Sequence, residues 1–488
     1  MENKYFKIPQ ILLAVQLCFL TMACKKNFIQ LNPLDQSVET NSFVTPSDAN
    51  LAVMGIYDAL QTGSYGEDMA SLTELISDNA TVQPSRLGSA ANIDLRELEY
   101  VQLTSQNGYI QSRWSNLYRG IARANLLLEK IETIPFSDST IKSQYISEAK
   151  FLRALFYFDL VRFFGDVPLT LTVINSTQAA FNLKRTPQSE VYAAIENDLN
   201  EAMNKLPLSY PAAGTGRATQ GAAKALLAKV FLSNNNAAGA VPLLRELTKS
   251  PYSYKLMTTY SAAFDNDNPA ESIFEIQYTS TVAGEGNVYP TYFLTTDGSS
   301  GRTIFGTGFV GNGQGNCVVT QDLLNSYEQG DARKSYTVTT YFSNVEGANV
   351  NIVYKYRGVA TSANNSEDNI YLLRYADVLL MLAEALNETN DNPTSEAYDA
   401  VDAVRKRAGV AVLNRNLDYN GFKLALLHER RVEFAFENQR WFDLKRFHRA
   451  VEILTPKNIP FKEFNYLYPV PKKEVDINPS NITQNPGY

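Results

Sequence analysis

The densest collection of reactive side chains in this 488-residue sequence is LLHERRVEFAFENQRWFDLKRF, Leu426 to Phe447. It sets five Arg or Lys residues and four carboxylates among Phe and Trp. On one helix, Glu433 and Glu437 lie four residues apart, roughly the spacing of the two carboxyls of a retaining glycosidase, about 5–5.5 Å. That chemistry needs one carboxyl with a raised pKa. Arginines flank both glutamates, and an opposite charge moves a carboxylate the other way. An ion-paired structural helix therefore fits better than a catalytic strip. Read as one helix, Arg430, Glu433, Glu437 and Arg440 form a charged stripe, and apolar residues cover most of the remaining circumference. Such a helix is largely buried.

Other reactive patterns are weaker. His428 and His448 are the only imidazoles, so neither a His-based zinc site nor a His-assisted triad is easily built. No catalytic residue, metal or cofactor is expected. GTGFVG, Gly306 to Gly311, matches G-x-G-x-x-G, but the NGQGN that follows cannot open the helix a dinucleotide site requires. Cys317 is a single thiol in a Gly-rich stretch and reads as inert. Trp114 and Trp441 sit at core spacing in helices and read as packing residues. A net charge of −7 gives nucleic-acid binding no electrostatic support.

The N-terminus speaks to destination. Lys4 and Lys7 precede ILLAVQLCFL, Ile11 to Leu20, too short to span a bilayer and suited to a secretory h-region. It runs into LTMAC, which resembles a bacterial lipobox ending at Ala23 and Cys24. The match departs from the usual pattern at Leu20 and Thr21. The reading is a signal peptide over 1–23 and lipid attachment at Cys24. Ordinary signal-peptidase cleavage, leaving a soluble periplasmic protein, is the alternative. Cys18 would leave with the signal, so no internal disulfide is expected.

The scaffold reads as helical hairpins. A polar tether, 24–45, leads to a helix from about Pro46 to Gln61, capped by Thr45 or Ser47. Apolar residues Ile110, Trp114, Leu117, Ile121, Ala124, Leu128 and Ile131 make one stripe over Asn107–Ile134, which Pro135 ends. Tyr145 to Leu169 carries another helix, with Gly165 and Pro168 at its end. Pairing by order joins 46–61 with 107–134, 143–165 with 188–206, 218–233 with 237–249, and 372–388 with 394–408. The fold class is mostly α: about four degenerate tetratricopeptide-like pairs, each burying its face on the next, beside an irregular half with short strands.

Residues 46–250 form the N-terminal helical half and 251–488 the C-terminal half. Within the latter, 251–370 changes texture. SIFEIQYTS, SYTVTTYF and NIVYKYRG alternate as strands do. Nine glycines fall within Gly284 to Gly315. A long irregular insertion on a rigid frame is where a binding surface is expected.

The segments AKFLRALFYFDLVRFFGDVPL, RYADVLLMLAEALNE, VRKRAGV, ERRVEFAFENQRWFDLKRF and YLYPVPKKEVDINPSNITQNPGY closely resemble SusD/RagB-family outer-membrane lipoproteins of Bacteroidetes. The resemblance covers nearly all of the mature chain, in order. It implies a surface-exposed, non-enzymatic protein that binds a nutrient, usually a glycan. It also implies a partner, a SusC-like TonB-dependent transporter met by the tetratricopeptide side. The same complex importing peptides is an alternative, and a surface glycoside hydrolase a more distant one. Starch-type members resemble SDNATVQPSR, with Asp78 and Arg86 at matching positions, but a Trp follows shortly after there, whereas here LGSAANIDL follows and no aromatic comes before Tyr100. A sugar site needs flat aromatic faces and polar groups for hydroxyls. Tyr65, Tyr289, Tyr292 and Phe309 are the aromatic candidates, with Asp78 and Arg86 as polar partners.

Overall fold

A computed structural model of the chain describes residues 43–61, 65–282, 284–298, 300–306, 308–358, 362 and 364–488. Cys24, the signal peptide and most of the tether lie outside these. Helix α1, Pro46–Gln61, starts where Thr45 and Asp48 cap each other: the Asp48 N–H donates to Thr45 Oγ1 at 3.3 Å, and the Thr45 N–H donates to Asp48 Oδ2 at 2.8 Å. Asn107 caps α2, Gly108–Lys130, by accepting from the Tyr109 and Ile110 N–H groups. The α2 stripe from Ile110 to Ala124 is buried. Then follow α3, Ser139–Phe164; α4, Gln188–Lys205; α5, Gln220–Ser233; α6, Ala237–Leu247; α7, Tyr375–Asn390; and α8, Ser395–Ala408.

Helices α1 and α2, α3 and α4, α5 and α6, and α7 and α8 pack as pairs, and α2 meets α3, α4 meets α5, and α6 meets α7. Each hairpin thus buries its apolar face on the next, as in a repeat stack. Buried ion pairs join helices within a hairpin and between hairpins. Arg153 on α3 grips both oxygens of Asp198 on α4 at 2.8 Å. Lys229 on α5 reaches Asp377 on α7 at 2.8 Å. Burying such charges adds little net stability, but removing one partner strands the other and costs about 3–5 kcal/mol.

The segment read above as one helix is two. Helix α9, Tyr419–Glu433, stops at a turn, and α10, Arg440–Arg446, begins beyond it. Phe436 and Asn438 take positive φ, +64° and +61°. The reason is external competition for backbone carbonyls. The Glu433 carbonyl accepts from Arg374 Nη2 at 2.9 Å and from the Tyr260 hydroxyl at 3.0 Å. The Ala435 carbonyl accepts from Lys355 at 2.8 Å, and that of Phe436 from the Tyr356 hydroxyl at 2.9 Å. A continuous helix would occupy these acceptors itself.

The side chains of this segment are buried and ion-paired. Arg374 reaches Glu433 at 2.6 Å and Glu437 at 2.7 Å, Arg333 reaches Glu429 at 2.5 Å, and Arg430 reaches Asp443 at 2.9 Å. Burial acts to raise the Glu433 pKa, but Arg407, Arg374 and Arg333 together hold it far below the usual carboxylate range. A general acid needs the opposite. Trp114 and Trp441 are buried, as their spacing indicates.

The strands form two-stranded antiparallel ladders: β1, Ala80–Thr81, with β5, Val318–Val319; β2, Val167–Pro168, with β3, Arg185–Thr186; β4, Ser272–Ile276, with β8, Ile370–Arg374; β6, Val338–Ser343, with β7, Ala348–Val353. One large core runs through the helices. A smaller one, of Leu294, Phe309, Val318, Val350 and Ile352, lies under the insertion. Among the described residues, no helix is long and apolar enough to cross a membrane.

Candidate functional site

Of the six residues proposed for ligand contact, the structure buries five. The Tyr65 hydroxyl donates to Asp159, and Arg113 lies 4.7 Å from its ring centre. The Tyr289 hydroxyl accepts from Asn438 Nδ2 at 2.9 Å, and that of Tyr292 shares a hydrogen bond with Ser71. Phe309 packs against Phe305, ring centres 5.0 Å apart, in the small core of the insertion. These rings keep no free face for a sugar. Tyr65, Tyr289 and Tyr292 belong to the large core and Phe309 to the small one under the insertion, so irregular sequence around them did not mean exposure.

Asp78 is also committed. Its carboxylate accepts from Arg440 at 2.8 and 3.0 Å and from Lys457 at 2.7 Å, with Arg431 Nη2 at 3.2 Å. Burial favours its neutral form, but the three cations outweigh that and hold its pKa well below the usual range. Asp78 therefore ties the N-terminal half to the Leu426–Phe447 segment and does not face a ligand. Cys317 is buried, and burial pushes its thiol pKa up, so it is a poor nucleophile.

Arg86 is the one candidate at the surface, and the fold builds a polar cluster around it. Strand β1 leads through Gln83 into a short helix, Pro84–Leu87, with Pro at its start. The Gln83 N–H donates to the Gly315 carbonyl at 2.9 Å, which pins this helix to the Gly-rich loop. Gly315 has φ +62°, and a Cβ there would stand 2.5 Å from Gln83 Oε1. At Gly313 a Cβ would stand 1.8 Å from the Thr295 carbonyl oxygen. Only glycine fits this turn. The turn delivers Asn316, whose Oδ1 accepts from Arg86 Nη2 at 2.8 Å, and Asn92 Oδ1 accepts from the same nitrogen at 3.2 Å. Arg86 Nε has no hydrogen-bond partner.

The β6–β7 hairpin closes the other side. At its tip, Glu346 Oε1 accepts from Gln83 Nε2 at 2.8 Å and from the Ser85 N–H at 3.1 Å. Asp297 holds the tip from below, accepting from Ser343 Oγ at 2.5 Å and from the Asn344 N–H at 2.8 Å. Burial acts to raise its pKa, but these hydrogen bonds prevail and keep it ionised. On the outer face of the hairpin, Phe342 is 57% exposed, beside the exposed Thr340. Val345 at the tip is exposed too. Among the described aromatics of this region, Phe342 offers the open ring that a sugar's C–H face needs.

The sequence reading missed Phe342, Asn92, Asn316 and Gln83. One signal was available for Phe342. In SYTVTTYF the alternation places it on the same strand face as Thr340, and a large aromatic on a polar face is the informative exception. Nothing comparable marks the amides, whose importance comes from the turn that gathers them. The GTGFVG motif opens no helix, the next one starting at Gln321.

Two family models match the chain: one described as "SusD family" over residues 328–465, and one described as "Starch-binding associating with outer membrane" over residues 34–232. Among known proteins, SusD-like protein P25 of Formosa agariphila is 26% identical over 99% of this chain and 100% of its own. A SusD-like protein of Bacteroides ovatus is 25% identical over 95% of this chain and 85% of its own. Among solved structures, a laminarin-binding SusD-like protein matches with TM-score 0.79 and 28% identity, covering 91% of this chain and 100% of that one.

Proposed function

Because this chain belongs to the SusD/RagB family, we propose that it captures a glycan at the outer membrane and passes it, uncleaved, to a SusC-like TonB-dependent transporter. The observation that carries this reading is the Arg86 cluster. The half-buried Arg86 follows Gln83 and Ser85, which hydrogen-bond the tip of the hairpin that carries the exposed ring of Phe342. Fixed amides flank the guanidinium. This is the pairing of hydroxyl-binding groups with an apolar plate that a sugar requires. Phe342 takes the role that a loop Trp plays in starch-type members. The helical stack would meet the transporter, and acyl chains on Cys24 would anchor the protein, since lipid anchoring holds firmly when more than one chain inserts.

The relative that binds laminarin makes laminarin-derived oligosaccharides the first ligands to try. The test is titration calorimetry of the purified protein against a glycan panel, with chromatography of the incubated glycan. Saturable binding with no new products supports the reading. Product release would mean a hydrolase. Binding of peptides, with no glycan bound, would move the ligand class to the alternative.

A further inference from the structure

Behind the ladder of β4 and β8 lies a cavity of about 320 Å³ that shares no residue with the Arg86 cluster. Its volume is at the lower end of the ligand-pocket range, about 300–1,000 Å³, and suits a single small ring. Glu275, paired across the ladder with Tyr371, stands at its inner end. This residue is 3% exposed. Its Oε2 accepts from Asn369 Nδ2 at 3.0 Å and from the Asn268 N–H at 3.3 Å. Its Oε1 makes no hydrogen bond of good geometry, although the Ser272 and Tyr371 hydroxyls stand close enough to the carboxylate to favour its charged form. A buried carboxylate oxygen left unpaired costs at least about 1–3 kcal/mol, so a donor that reached it would be well rewarded.

The charges around the cavity say which donor. Asp267 and Glu367 stand exposed at the rim, and Asp368 lines the wall. The two cations on the lining are already engaged. Lys355 donates to Glu437 and to the Ala435 carbonyl, both at 2.8 Å. Arg357 pairs with Asp265 at 3.2 Å and lies 4.2 Å from the Tyr336 ring centre. Asp368 is occupied from within, accepting from the Gly358 N–H and Ser366 Oγ, both at 2.7 Å, and among the described residues Asp267, Glu275 and Glu367 have no ion-pair partner. Burial raises the pKa of Glu275, Asp368 and Asp267, as expected of carboxyls that lack a positive partner. An anion would be repelled here. A neutral polyol would gain hydrogen bonds only, whereas an ammonium group would gain hydrogen bonds and charge. Among the described residues, no three acidic side chains converge as metal ligands do. Phe264 and Tyr336 supply aromatic wall.

We propose that this cavity binds a small ligand bearing an ammonium group, such as an amino sugar or an amino acid, with an N–H set against Glu275 Oε1. The inference does not rest on glycan capture at Arg86, and the two can fail separately. The test is calorimetry of the full chain at pH 7 with glucosamine, lysine, glucose and calcium chloride as probes. Glucosamine or lysine should bind at least tenfold more tightly than glucose, and the tighter of the two names the source of the ammonium. Glu275→Gln, nearly isosteric, should weaken that binding at least tenfold. Asp267→Asn, at the exposed rim, should weaken it about threefold and serves if the first variant folds poorly. Arg86→Ala should leave it unchanged. The proposal is overturned if neither ammonium probe saturates, if glucose binds equally well, if calcium binds and excludes glucosamine, or if the rim and floor variants bind like the parent.

Discussion

Arg440 holds the Asp78 carboxylate at two points, 2.8 Å from Nε and 3.0 Å from Nη2, across 362 positions of sequence. Lys457 and Arg431 crowd the same carboxylate. Asp78→Ala would strand the buried Arg440 without its carboxylate, while Arg431 and Lys457 keep Asp322 at 2.7 and 2.6 Å. The expected loss of unfolding free energy is about 3–5 kcal/mol, read by urea denaturation at pH 7. If Asp78 instead served the ligand, the variant would lose glycan affinity with its stability intact.

The pH dependence of stability should carry the mark of Glu74. This side chain is fully buried in the π-turn Ser71–Leu75, and burial pushes its pKa up to about 7, against hydrogen bonds from Asn79 and the Asn438 N–H. A pKa raised on folding means that the folded state binds the proton more tightly. Its contribution is full below the unfolded value, near 4.5, and is lost as pH rises through about 7. Asp68, raised by burial to about 6, acts in the same direction over a lower window. Unfolding free energy should therefore fall between pH 5 and 8, by an amount on the order of 3 kcal/mol for Glu74. Glu74→Gln should flatten that decline whatever its absolute stability. An unchanged slope would remove Glu74 as its source.

Much of the frame was legible from periodicity. The stripe from Ile110 to Ile131 and the Pro135 stop gave α2, and hairpin pairing by order gave the stack, because a helix face and a short connection are local properties. The turn at Phe434–Gln439 was not legible. It exists because Arg374, Lys355 and the Tyr260 and Tyr356 hydroxyls, far away in sequence, claim the carbonyls that helix continuation would use. Tyr289 and Tyr292 misled for a related reason. They fall in the Gly-rich stretch Gly284 to Gly315, but their hydroxyls find Asn438 and Ser71 once the chain has folded. Arg86 was found by resemblance, and the amides that frame it emerge only from the loop geometry.

If the Arg86 cluster is the glycan site, Arg86→Ala should weaken binding at least tenfold, since hydrogen bonds from a charged donor contribute about 1.5–3 kcal/mol. Phe342→Ala should weaken it several-fold and leave stability within about 0.5 kcal/mol, because the ring is exposed. Titration calorimetry and thermal melts together separate the two effects. A site elsewhere would show parental affinity for both variants.

Replacing Cys24 by Ser should release the protein from membranes if acyl chains are its anchor. Fractionation of cells making both forms would read this directly. Partition of Cys24→Ser with the outer membrane, as for the parent, would place the attachment on protein contacts.

Gly313→Ala tests whether the loop positions the site or merely decorates it. A Cβ at this position would stand 1.8 Å from the Thr295 carbonyl oxygen and 2.6 Å from Leu294 Cβ, both in the strand of loop that Gly315 hydrogen-bonds. Neither neighbour is the far end of a flexible side chain, so the backbone itself must move. That movement displaces Asn316, three residues on, and with it the acceptor that orients Arg86 at 2.8 Å. The expected result is a modest loss of stability, about 1–3 kcal/mol, with a disproportionate loss of glycan affinity. The helical stack should remain, as judged by an unchanged far-ultraviolet circular dichroism spectrum. Full affinity in Gly313→Ala would mean that Arg86 does not depend on the loop, and that ligand contact is made elsewhere on this face.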